Sequence, residues 1–60
     1  MTETDLDRSY TALCQALGEV GEERSGMLLA MVALALMARQ EQADEVLALV
    51  QRARDRCLQP

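Results

Sequence analysis

The run from Met27 to Ala38 contains twelve residues without a polar side chain, and it constrains the fold more than any other stretch. It is built from Ala, Leu and Met with a single Val32, and the first three are strong helix formers. A buried strand is usually about 4 to 8 residues long and richer in β-branched and aromatic side chains. The run therefore predicts a helix that is apolar on every side.

A helix of this kind is surrounded either by protein or by lipid. At roughly 100° per residue, the large side chains of the run fall all the way around the helix axis. A membrane span needs roughly 20 apolar residues, but charged residues close this run on both sides, in segments 22–24 and 39–41. We therefore expect burial within protein and no membrane insertion.

The residues before this run have the pattern of an amphipathic helix. Apolar side chains recur there at intervals of three and four residues, and they are Leu6, Tyr10, Leu13, Cys14, Leu17 and Val20. Thr4 is the expected N-cap, and Asp5 and Asp7 suit the positive end of a helix dipole. The pattern predicts a first helix over approximately residues 5–20.

Gly21 is expected to end the first helix in a left-handed conformation. The second helix is predicted over approximately residues 22–40, with a start near Glu22 preferred to a later start capped by Ser25. The third is predicted over approximately residues 43–58, and its apolar face comprises Val46, Leu47, Leu49, Val50, Ala53 and Cys57. Segment 40–43 lacks Gly and Pro, so one continuous long helix through it is the alternative.

Three helices joined by short turns predict an all-α, up-down-up domain that spans residues 1–60. A domain of this size buries only about 60 % of its unfolded surface on its own and is therefore marginally stable. Two amphipathic neighbours cannot cover a helix that is apolar all round, so a second copy is the expected cover. We predict a homodimer, forming a six-helix bundle, with an interface on the second helix at Met27, Ala30, Met31, Leu34 and Ala38.

Composition excludes several classes of function. The chain has a net charge of −4, with ten acidic residues against six basic ones, and all six are Arg. Nucleic acids and anionic membrane surfaces both require basic patches, so neither is an expected partner. The acidic N-terminal segment has neither the basic region nor the apolar region of a signal peptide. A cytoplasmic location is therefore expected.

No catalytic, cofactor-binding or metal-binding site is predicted. Cys14 and Cys57 are far apart in sequence, and in a cytosolic chain they are expected to be free thiols rather than a disulfide. The chain has no His and no Cys-x-x-Cys motif, so a zinc site within one chain would lack ligands. Adjacent carboxylates occur at positions 22–23 and 44–45, where predicted helix starts account for them through the helix dipole.

Two hypotheses about function follow. The first is a self-associating interaction module, either alone or as an accessory or regulatory subunit of a larger protein. The alternative is a small-molecule binder or minor enzyme that uses an apolar pocket between helices, near Cys14 and Cys57. The absence of any catalytic motif favours the first hypothesis.

The spacing of several residues also resembles a known family. These are Tyr10-x-x-Leu13, Ser25, the Leu/Ala-rich helix, Asp44-Glu45-Val46-Leu47 and Ala53-Arg54, within residues 5–55. Together they resemble a family of very short bacterial proteins described only as a domain of unknown function. Members often have Gly-Asp before the third helix and Asn-His at the end of the second, where this chain has Ala43-Asp44 and Arg39-Gln40. The resemblance implies a helical fold and no particular activity.

Overall fold

The computed structural model describes all 60 residues and consists of three α-helices without a strand. The helices are α1 (Glu3–Val20), α2 (Glu22–Met37) and α3 (Ala43–Leu58). The all-α class and the number of helices are therefore as predicted, and the bounds differ from the predicted ones only at some helix ends.

A capping box begins α1 two residues earlier than predicted. The Thr2 hydroxyl oxygen accepts a hydrogen bond from the Asp5 N–H at 3.1 Å, and the Asp5 carboxylate accepts one from the Thr2 N–H at 3.4 Å. The prediction of Thr4 as the N-cap is wrong. Both threonines have an Asp three residues later, but the earlier cap adds helical backbone hydrogen bonds and places Glu3 and Asp5 in the first turn.

Gly21 forms the whole connection between α1 and α2. Its φ of 83° and ψ of 168° require a residue without Cβ, and its N–H donates to the Leu17 carbonyl at 3.2 Å. The expected positive φ is confirmed, although ψ is extended rather than helical. α2 begins directly at Glu22, and the Ser25 hydroxyl, inside the helix, donates to the Gly21 carbonyl at 2.9 Å.

Residues 38–42 separate α2 from α3, so the alternative of one continuous helix is wrong. Beyond Met37, the N–H groups of Arg39 and Gln40 donate to carbonyls only three residues back, at 3.1 and 3.0 Å. This tighter turn ends α2 at Met37 rather than near residue 40. Gln42 then has an extended backbone, with φ −121° and ψ 119°, and precedes α3 without donating or accepting a side-chain cap bond.

The three helices do not pack along their lengths within one chain. No two residues twelve or more positions apart in sequence have Cα atoms within 8 Å, and α1 and α2 approach each other only near Gly21. The up-down-up packing expected for a single chain is therefore not formed. Each helix has an apolar face, but at each turn the chain changes direction so that the next helix does not pack against the previous one.

The open arrangement also appears in the dimensions of the chain. Its radius of gyration is 13.1 Å, against about 10.4 Å for a compact domain of this length. Its extents are 33 × 31 × 21 Å. None of the helices combines the length and the apolar character that a membrane crossing requires.

Candidate interaction surface

Every side chain in the chain is at least partly exposed to solvent. No residue is buried, and the accessible surface of the chain is 5797 Å². A compact monomer of 6.6 kDa exposes about 3,900 Å², so this chain exposes roughly 1,900 Å² more than a folded monomer of its mass. All three helices contribute to this exposed surface with large hydrophobic side chains that the rest of the chain leaves uncovered.

The face of α2 that carries the predicted interface is the most exposed part of this helix. Met27, Met31 and Leu34 are 64 %, 61 % and 64 % exposed, more than any other large apolar side chain of α2. Ala30 and Ala38 beside them are exposed as well. At roughly 100° per residue these five positions fall within about 100° of arc, so they form one stripe along the helix. We call this stripe the α2 face.

The other side of α2 is partly covered by its own chain. Ser25, Leu28 and Ala33 are half-buried, and none of them belongs to the α2 face. The half-buried residues of α1 lie towards its C-terminal end and are Leu13, Ala16, Leu17 and Val20. Near Gly21, α1 therefore contacts the side of α2 opposite the α2 face, and the α2 face itself stays uncovered.

An open apolar groove of about 320 Å³ lies in the corner between α2 and α3. Six of its seven lining residues are hydrophobic, and they are Ala33, Leu36 and Met37 of α2 with Val46, Leu49 and Val50 of α3; Gln40 completes the lining. Only Val46 of α3 is half-buried. The groove therefore extends the exposed apolar surface from α2 onto α3.

Tyr10 is the single aromatic residue, and it lies exposed on the apolar face of α1. Cys14 follows one helical turn later and raises the pKa of the Tyr10 phenol above its ordinary value of 10.0. The first cause is the hydrogen-bonding capacity of the neighbouring Cys14 side chain, and the second is its electrostatic effect on the phenol. The sequence placed both residues on one face, but their polar interaction was not anticipated.

The structure does not form the pocket expected near the two cysteines. Cys14 on α1 and Cys57 on α3 are exposed free thiols with Cα atoms more than 8 Å apart, and neither lines a groove of the chain. The apolar groove lies instead between α2 and α3. The sequence predicted an apolar face on each of these helices but not the groove where the two faces meet. No three His, Cys, Asp or Glu side chains come together as a metal site.

The surface thus includes three apolar helix faces, joined through two turns, and an open apolar groove between α2 and α3. Its chemistry is that of packing, since the side chains involved are aliphatic, thioether or thiol groups. Comparison of the chain with family models, with curated proteins and with solved structures finds no match.

Proposed function

We propose that this chain is a self-associating helical interaction module whose folded form is a homodimer centred on the α2 face. The observation that carries the proposal is the absence of any buried residue in a chain that is half hydrophobic. Most of the stability of helices in proteins comes from tertiary packing of an apolar face rather than from helix propensity. Because one chain offers no core, a second chain must supply the packing surface.

The area available for association matches that of an obligate dimer. If each copy covered its excess surface, two copies would bury about 3,800 Å², within the range of about 2,000 to 5,000 Å² found for obligate interfaces. The largest apolar side chains would meet at the centre of the interface, on the α2 face. Six helices would then enclose one common core.

Association between copies is tested by sedimentation equilibrium together with circular dichroism over a range of protein concentrations. We expect a species of twice 6.6 kDa whose helical content falls as dilution dissociates it. A folded, helical monomer at micromolar concentration would contradict the proposal. The substitution Met31→Glu, discussed below, then assigns the interface to the α2 face.

We further propose that the dimer acts in the cytoplasm as an accessory or regulatory subunit of a larger protein, within the family of short bacterial helical proteins that its residue spacing resembles. The support is the exposed surface of the three helices, which includes large apolar groups suited to packing against another protein. Affinity purification of the tagged chain tests this role, and we expect one larger protein to co-purify with the wild-type chain. Its retention by the Met31→Glu variant would show that the partner does not require the dimer.

The groove between α2 and α3 supports a second candidate function, the binding of a small apolar molecule. Its apolar lining suits such a ligand, but it is open to solvent, whereas small-molecule sites usually enclose about 70 to 90 % of the ligand surface. Thermal unfolding in the presence of a library of small apolar compounds tests this function. A saturable rise in the melting temperature that Leu49→Glu abolishes would favour it over a purely structural groove.

A further inference from the structure

The apolar faces of α1 and α3 are open in the same chain, and the two helices do not contact each other. No residue of α1 comes within 8 Å of α3, measured between Cα atoms. Tyr10 on α1 is 66 % exposed, and Leu47 on α3 is 60 % exposed. This inference rests on the proposed homodimer. In that dimer the apolar faces of α1 and α3 must be covered as well as the α2 face.

Acidic side chains flank the apolar face at the start of α1. By helical geometry Glu3 and Asp7 lie within about 90° of the centre of that face, one turn apart. Glu19, near the other end of α1, lies about 150° away and points outward. A helix that packs on α1 therefore meets negative charge beside the start of the apolar face and little charge beside its end.

Basic side chains flank the apolar face at the end of α3. Arg54 and Arg56 lie within about 100° of its centre, on opposite sides, whereas Arg52 lies about 135° away. The start of α3 carries only acidic charges, at Asp44 and Glu45. Read from its own N-terminus, each helix thus begins with acidic charge, and α3 ends with basic charge, so the start of α1 is complementary to the end of α3.

The direction of packing between α1 and α3 follows from this order. A single chain that folded up, down and up would place the two helices parallel, with Glu3 and Asp7 at the start of α3, which has no basic side chain. An antiparallel pair would instead place Glu3 and Asp7 at the end of α3 that carries Arg54 and Arg56. It would also join the positive end of one helix dipole to the negative end of the other.

We propose that α1 of each copy packs antiparallel against α3 of the second copy. A two-fold axis generates two such pairs, so both open faces are covered and the acidic and basic flanks meet twice. The turns at Gly21 and residues 38–42 hold α1 and α3 apart within one chain, so one chain does not form the antiparallel pair by itself. Oppositely charged flanks set the direction of packing, while apolar contact supplies most of the association free energy.

Two charge-reversed variants test the pairing between copies. One is Glu3→Arg with Asp7→Arg, and the other is Arg54→Glu with Arg56→Glu. In a homodimer of either variant, both α1–α3 pairs bring like charges together. In the mixed dimer, both pairs bring opposite charges together. Arg52→Glu is the control, because it makes a single Arg-to-Glu change on the outward face of α3.

Sedimentation measures the dissociation constant of each variant, and native mass spectrometry identifies the mixed species. We expect the dissociation constant of each variant alone to rise about tenfold or more, and that of Arg52→Glu to change less than about threefold. An equimolar mixture should recover nearly the wild-type dissociation constant as a heterodimer. Recovery on mixing cannot arise from a general loss of helix stability in either variant.

Three results would overturn the pairing, and they are distinguishable from failure of the dimer itself. The first is that both variants associate as strongly as the wild-type chain. The second is that an equimolar mixture shows no recovery, whereas a single chain with all four substitutions does recover. That result would place the α1–α3 pair within one chain. The third is that Arg52→Glu weakens the dimer as much as the reversed pairs do. Only a monomeric wild-type chain would remove the homodimer as well.

Discussion

Thr2 and Asp5 form two reciprocal hydrogen bonds at the start of α1: the Asp5 N–H donates to the Thr2 hydroxyl oxygen at 3.1 Å, and the Thr2 N–H donates to the Asp5 carboxylate at 3.4 Å. The pair closes the first turn of a helix that has no buried residue to hold it in place. A local hydrogen-bonded cap therefore carries more of the stability of α1 than it would in a helix packed against a core.

Replacing Thr2 by Ala should destabilise α1 by about 1 kcal/mol, the usual loss for an N-cap hydroxyl. Thr4→Ala is the control, because Thr4 lies inside the helix. We expect a lower melting temperature for Thr2→Ala and little change for Thr4→Ala, measured by circular dichroism. Equal losses from the two substitutions would show that the cap does not act through its hydrogen bonds.

Met31→Glu should dissociate the proposed dimer, because it places a charge in the middle of the α2 face. Desolvating an unpaired carboxylate in a packed interface costs at least several kcal/mol, which corresponds to a loss of more than a hundredfold in affinity. Gln15→Glu adds the same charge on the outward face of α1 and should leave the dimer intact. Sedimentation at micromolar concentration compares the two, and a dimeric Met31→Glu variant would place the interface elsewhere.

Gly21→Ala and Gly18→Ala should change stability in opposite directions. Gly21 has a φ of 83°, where a Cβ introduces backbone strain of about 1 kcal/mol or more. Gly18 is helical and has open space where a Cβ would be built, so Ala there should stabilise α1 by about 0.5 to 1 kcal/mol. Thermal unfolding at equal protein concentration measures both effects. A stabilising Gly21→Ala substitution would contradict the geometry of the turn.

The ionisation of Tyr10 should depend on Cys14. The raised pKa of the phenol means that the folded state favours neutral Tyr10 more than the unfolded state does. The resulting stability is fully present below the ordinary pKa of 10.0 and is lost as the pH rises through the raised pKa. Cys14→Ala should lower the midpoint of the ultraviolet titration of Tyr10. An unchanged midpoint would mean that the thiol does not interact with the phenol.

Cys14 and Cys57 should both react with a thiol reagent once the protein is denatured without reductant. Both are exposed and free, and their Cα atoms are beyond the distance that a disulfide permits, about 7 Å. Titration of two thiols per chain checks this expectation. A shortfall in the denatured protein would reveal a disulfide that the structure does not contain.

The sequence predicted the helices more accurately than their ends. Periodic apolar residues identify α1 and α3, and the run from Met27 to Ala38 identifies α2, because side-chain spacing is a direct consequence of helical geometry. Thr2 and Thr4 are each followed by an Asp three residues later, so sequence alone could not choose between the two caps. The turn after Met37 has no Gly or Pro, and only the backbone hydrogen bonds reveal where α2 ends.

Packing was predicted less well, because periodicity identifies an apolar face without identifying what covers it. The α2 face lies on one exposed stripe, as its spacing implied, although its role as an interface remains a prediction. The pocket expected at Cys14 and Cys57 would have required α1 and α3 to lie side by side. Turn geometry at Gly21 and residues 38–42 keeps these helices apart within one chain.

All contacts within this chain are local, so the amount of folded protein in a cell should depend on how often two chains meet. Helical turns form within about a microsecond, but completing the core of the proposed dimer requires an encounter between two chains. Until that encounter, each new chain exposes its backbone to proteases. At low expression the amount of folded protein should therefore rise with roughly the square of the synthesis rate, so that halving the dose removes about three quarters of it.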